Sequence, residues 1–212
     1  MQKIEQLIKE KAKDLLAAEQ VTRVIAWQKG ELFYDNAPAY FSKTEELGAL
    51  VYNAFCAANL SKYLIANTKK AEKTAVFLKP CDTYSLNQLL KDRRVQREQV
   101  LVIGIPCAGM VDINKIKEQG LKGIIGITED GDNLKVATAY GTKEVARAEV
   151  LLNKCLACKG SAYAVSDETL GEPVTVKHAP YDRFDEVSQL ESLSPQARFA
   201  FWQQELSKCI RC

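Results

Sequence analysis

The chain has 212 residues, 47% of them hydrophobic, with a formal net charge of +2 and seven cysteines against one histidine. That is enough sequence to bury a core as one large or two small domains, and a charge so near zero gives no electrostatic case for nucleic acid. No apolar run approaches the length of a membrane span, and the amino-terminal residues lack a signal-peptide core. The expected compartment is the cytoplasm, without membrane insertion, where cysteines are reduced, metal-bound or catalytic rather than disulfide-paired.

Taken in chain order, residues 2–19 read as an amphipathic helix with Ile4, Leu7, Ile8, Ala12, Leu15 and Leu16 on one face. Residues 21–27 and 31–34 read as a hairpin around Lys29-Gly30. Ser42 and Glu45 have the spacing of a capping box for a helix to residue 55, and a further helix is expected over 60–67. A theme then repeats. Thr74–Leu78 and 100–105 are short apolar strands, and each is followed by a Pro-Cys pair, Pro80-Cys81 and Pro106-Cys107. Asp82 and Asp112 are the caps expected for the helices that follow. Residues 123–128 and 134–139 form strands around Asp130-Gly131-Asp132, and 142–152 read as helical. Residues 160–193 carry no clear pattern. Ser194-Pro195 opens the last helix, with serine at the cap and proline at the first helical position.

This alternation predicts an α/β fold, a partly parallel mixed sheet flanked by helices, with cysteines at the carboxyl ends of strands, where such sheets place their sites. The expected division is an N-terminal α+β region over 1–70, an α/β cluster-binding core over 71–193, and a C-terminal helix over 194–212.

Six cysteines stand in metal-binding contexts. Cys155 and Cys158 form one Cys-x-x-Cys pair, Cys209 and Cys212 another, and Cys81 and Cys107 each follow a proline. Proline removes an amide donor and keeps the preceding residue extended, so each thiol is delivered at the end of a strand. Thiolates with a single histidine favour iron–sulfur or all-cysteine zinc sites. The proposed set for a 4Fe–4S cluster is Cys81, Cys107, Cys155 and Cys158. A zinc ribbon on Cys155, Cys158, Cys209 and Cys212 is the alternative, in a zinc-stabilised binding module without redox role. Cys56, in an apolar stretch, reads as a small buried hydrophobe. His178 reads as an ordinary loop histidine. Lys69, Lys70 and Lys73, and Lys91 with Arg93, Arg94 and Arg97, read as solvated faces. No phosphate loop or dinucleotide fingerprint is present, and no catalytic residue stands out.

The order Lys79-Pro80-Cys81-Asp82, Ile103-Gly104-Ile105-Pro106-Cys107-Ala108-Gly109-Met110, Cys155-x-x-Cys158 and Arg198-Phe199-Ala200-Phe201-Trp202 resembles the beta-subunit family of deazaflavin-coenzyme (factor 420) reducing hydrogenases and formate dehydrogenases. The resemblance covers residues 70–212 and implies an iron–sulfur electron-transfer subunit of a redox complex, with other subunits as partners and, in some members, FAD. Flavin-contacting residues do not match one by one. Cys209 and Cys212 resemble the opening of a ferredoxin-type tail, expected here to be cut short. A flavin- or deazaflavin-dependent oxidoreductase is a third expectation.

Overall fold

A computed structural model describes residues 2–67, 72–158, 160, 162–174, 176–177 and 182–210, with nothing said of the Gln2 and Asn67 side chains. The described chain divides into two compact units, Met1–His178 and Ala179–Cys212.

The first unit is built on a mixed sheet. Strands β1 (Arg23–Lys29), β4 (Thr74–Leu78), β5 (Val100–Gly104) and the short β9 (Glu168–Thr169) pair in parallel in that order. Strand β2 (Asn36–Phe41) closes the far edge antiparallel to β1. The two-residue β3 (Leu50–Val51) pairs with Trp27 and Gln28, the end of β1 that β4 does not reach. All five residues of β4 are buried, the continuous apolar pattern of a parallel strand covered on both faces. Helix α1 (Gln2–Ala17) buries Ile8, Ala12 and Leu15 while Leu7 turns outward, so the apolar stripe is narrower than its periodicity predicts. A second sheet is a meander of β6 (Ile124–Asp130), β7 (Asn133–Thr138) and β8 (Gly141–Ala146), with a core of its own around Leu134, Val136 and Val145.

Three sequence expectations fail for local reasons. The partner of β1 begins at Asn36, because Phe33 and Tyr34 pack with Phe55 instead of entering the sheet. Only a 3-10 turn, Thr44–Ala49, forms where a helix to 55 is expected, since Leu50 and Val51 are taken into pairing with β1. Glu46, not Glu45, accepts the N–H groups of Ser42 and Lys43, at 2.8 and 3.2 Å. The supposed helix over 142–152 is β8, which pairs Val145 with Leu134, followed by a 3-10 turn. Its Ala, Arg and Glu content favours a helix, and tertiary pairing overrides that propensity.

The short α2 (Leu64–Asn67) precedes β4. After β4 comes α3 (Pro80–Lys91), with Lys79 at its cap and Pro80 at its first position. After β5 comes α4 (Ile113–Glu118), where the Asp112 carboxylate accepts the Asn114 N–H at 2.9 Å as its sequence predicts. One turn of helix, α5 (Asn153–Leu156), carries Cys155. The second unit holds α6 (Asp185–Ser192) and α7 (Pro195–Ser207), neither of which buries a residue.

No helix among the described residues is long and apolar enough to cross a membrane.

Candidate metal centre

Because β4 and β5 are parallel neighbours with Leu78 opposite Gly104, the segments leaving them set out from the same end of the sheet. Cys81 lies in the first turn of α3, and Cys107 in the loop after β5. Cys155 comes from 48 positions further along, and a single antiparallel bridge brings it back. Val111 pairs with Leu151, and Leu152 donates its N–H to Met110 O at 2.9 Å. Met110 N–H then donates to Cys155 Sγ at 3.3 Å. Cys158 follows on the same turn, its N–H on Cys155 O at 3.3 Å.

The sulfurs receive backbone donors. Gly109 N–H donates to Cys107 Sγ at 3.4 Å, and Gly160 N–H to Cys158 Sγ at 3.3 Å. Gly109 can do this only as glycine. Its φ is +90°, and a Cβ there would lie 2.7 Å from Leu151. Gly160 closes against the start of α3, where a Cβ would stand 3.2 Å from both Cys81 N and Pro80 Cβ and 3.4 Å from Cys158 Sγ. A cavity of about 400 Å³ is lined by Cys81, Tyr84, Lys154, Cys155, Ala157, Cys158 and Gly160.

The four thiols sense one another electrostatically. Although its outer side is exposed, desolvation by the surrounding protein pushes Cys81 up to about 12, with the Asp82 carboxylate next and Cys107 and Cys158 adding to it. Burial pushes Cys107 up to about 11, with Cys155 and Cys158 adding to it. Cys155 is raised as well, by burial first. The protein environment therefore holds Cys81, Cys107 and Cys155 as thiols, and a metal that binds them must release their protons.

Beneath them lies a cation that the sequence reading passed over. Lys79 is 1% exposed. Its ammonium stands 3.0 Å from Asp82 Oδ2, donates to Cys56 O and Ala58 O at 2.9 Å each, and sits 4.3 Å from the centre of the Trp27 ring. Asp82, expected as a helix cap, is instead the buried partner of this lysine, and burial raises its carboxyl despite the lysine's opposing pull. The one cue is position, a lysine directly after a short strand that is apolar from Ala75 to Leu78. Tyr52 is a second residue without a sequence signal. It packs 5.4 Å from Trp27, and its hydroxyl donates to Pro106 O at 2.8 Å, beside Cys107. Arg147 is a third, buried, donating to Gly109 O at 3.0 Å and paired with Glu129.

The other candidates fall elsewhere. Cys56 is fully buried, as expected of a small hydrophobe. Cys209 is exposed, just past α7 in the second unit. Cys212, His178, Lys69 and Lys70 lie outside the described residues. Lys73, Lys91, Arg93 and Arg94 are exposed, and Arg97 pairs with Asp167 at 2.5 Å.

Among the described residues, no three His, Cys, Asp or Glu side chains stand close enough to hold one metal ion. A tetrahedral zinc needs sulfurs about 4 Å apart. A four-iron cluster has a thiolate at each corner and spreads its ligands further. An all-thiol donor set with amide N–H groups on Cys107, Cys155 and Cys158, and with Cys81, Cys155 and Cys158 lining the cavity, fits the larger group.

No family model matches the chain. It is 32% identical over 99 residues to the F420-dependent formate dehydrogenase subunit beta of Methanocaldococcus jannaschii, a match covering 47% of this chain and 26% of that protein. It is 31% identical over 91 residues to the F420-dependent formate dehydrogenase 1 subunit beta of Methanococcus maripaludis, covering 43% of this chain and 24% of that one. The matches thus span about a quarter of these relatives' length. A chain of the F420-reducing [NiFe] hydrogenase complex from Methanosarcina barkeri superposes with a TM-score of 0.59 at 12% identity, over 74% of this chain and 62% of that one, which establishes a shared fold. Over about half its length the chain is therefore similar in sequence to beta subunits of F420-dependent formate dehydrogenases.

Proposed function

We propose that this chain is a cytoplasmic electron-relay subunit of an oxidoreductase complex of the formate dehydrogenase or hydrogenase kind, with a 4Fe–4S cluster held by Cys81, Cys107, Cys155 and Cys158. The observation that supports this reading is the delivery of Cys81 and Cys107 from two adjacent strand ends and of Cys155 and Cys158 from one turn, with Cys81, Cys155 and Cys158 lining one cavity and amide N–H groups aimed at three of the four sulfurs. When bound, such a cluster supplies one-electron transfer. The chain's own residues do the rest. The Gly109, Met110 and Gly160 amides stabilise negative charge on sulfur, and the Val111–Leu151 bridge fixes Cys155 beside the Cys107 loop. The sheet core excludes water from one side, while Cys81 and Tyr84 remain exposed as a face for electron exchange. The described cysteines are all free thiols, which suits a reducing compartment. Cys209 and Cys212 would open a second cluster motif.

Iron and acid-labile sulfide on anaerobically purified protein, for wild type and Cys155→Ser, test this directly. The expected outcome is about four of each per chain, with visible absorption lost in the variant. Stoichiometric zinc without iron or sulfide would overturn the relay and favour the binding module.

A further inference from the structure

Lys79 is placed as few lysines are. Burying an ammonium without compensation is prohibitive, yet this one is held by a carboxylate, two carbonyls and an indole face, so its position is fixed. It stands two residues before Cys81, at the carboxyl end of β4. Asp82 links the two, since one of its carboxylate oxygens stands 3.0 Å from the Lys79 ammonium and the other accepts from Cys81 Sγ at 3.7 Å. A structural clamp for the 56–58 loop would require only a donor. A dry cation beside several thiolates does more, since in a desolvated setting it interacts strongly with any change of charge on their ligand.

We propose that Lys79 is a positioning residue that sets the reduction potential of the group bound by the cysteines, favouring its reduced and more negative state, with Asp82 opposing it. This rests on the cluster reading above. An electron entering the site adds one negative charge with no bond made or broken, and a fixed buried cation stabilises the product of that step.

The test is redox titration of reconstituted protein, following the visible band, for wild type, Lys79→Met, Asp82→Asn and the double variant. Lys79→Met should disfavour reduction at least tenfold, equivalent to about 59 mV for one electron. Asp82→Asn should move the potential upward, and the double variant should fall at least tenfold below Asp82→Asn. A purely structural clamp predicts the opposite pattern, because breaking the pair from either side loosens the same contacts and shifts both single variants in one direction. Should Lys79→Met leave Asp82 stranded and fail to fold, Asp82→Asn and the double variant, which strand no carboxylate, still carry the comparison. Wild type lacking iron and sulfide would remove the cluster and this role together. A loaded wild type whose potential stays within twofold on removing the lysine overturns the role of Lys79 alone.

Discussion

The chain carries two kinds of cysteine setting, and their difference is one of scaffolding. Cys107 and Cys155 are buried on segments fixed by β5 and by the 110–152 bridge, with backbone donors on their sulfurs. Cys209 is exposed, past the end of a helix that buries nothing and leaves Phe199, Trp202 and Leu206 open. Preorganisation belongs to the first setting. A ligand there meets thiols already held in place, whereas the described residues of α6 and α7 show apolar surface and bury no side chain.

The largest expected effect breaks that comparison at its base. Phe77, the fourth residue of β4, is fully buried. Phe77→Ala should destabilise the first unit by about 3–5 kcal/mol through lost transfer energy and a cavity. Phe199→Ala should change stability by no more than about 0.5 kcal/mol, since that ring is 70% exposed. Urea unfolding followed by far-UV dichroism measures both. Equal losses would mean that α7 is as firmly packed as the sheet.

How much of this could be read from the sequence follows from how local each feature is. Pro-Cys and Cys-x-x-Cys are short-range patterns, and the parallel strands before the Pro-Cys pairs announce themselves as apolar runs, so the sheet type and the place of Cys81 and Cys107 just past two strand ends were legible. The roles of Lys79 and Arg147 depend on carbonyls at Cys56, Ala58 and Gly109, far away in sequence. No periodicity encodes those partners. The same holds for β8 and β3, whose strand pairing competes with good local helix or turn chemistry and wins. Asp82 misled because a cap and a buried ion-pair partner occupy the same position after a proline.

A smaller effect sharpens the comparison at the site itself. Gly160→Ala drives a methyl against Cys81 N and the Pro80 ring, neither of which is the free end of a flexible chain. Overpacking of this kind costs about 1–3 kcal/mol, and here it also forces apart the segments carrying Cys158 and Cys81. The variant should therefore lower the urea midpoint and hold less iron after reconstitution. Gly48→Ala, where an added Cβ meets nothing within 4 Å, is the control that should leave both unchanged. If Gly160→Ala retained full iron, the close approach of these two segments would not matter to ligation.

The smallest effect concerns the second unit alone. Ser194 Oγ accepts the Ala197 N–H at 3.2 Å, so α7 begins on a satisfied cap with Pro195 behind it. Arg198 adds bonds to Glu191 O and Leu193 O, at 2.9 and 3.1 Å, tying α7 to the end of α6. Ser194→Ala removes the cap and leaves both the proline and the arginine latch, so the loss should be about 1 kcal/mol. The two tryptophans report separately, because Trp27 is fully buried in the first unit and Trp202 is half exposed in the second. Ser194→Ala should lower the thermal midpoint seen by Trp202 fluorescence in a Trp27→Phe background and leave that seen by Trp27 in a Trp202→Phe background where it was. An equal shift in both would show that the helical pair unfolds with the sheet as one cooperative body. The scaffolding difference between the two cysteine settings would then lie in burial alone and not in stability.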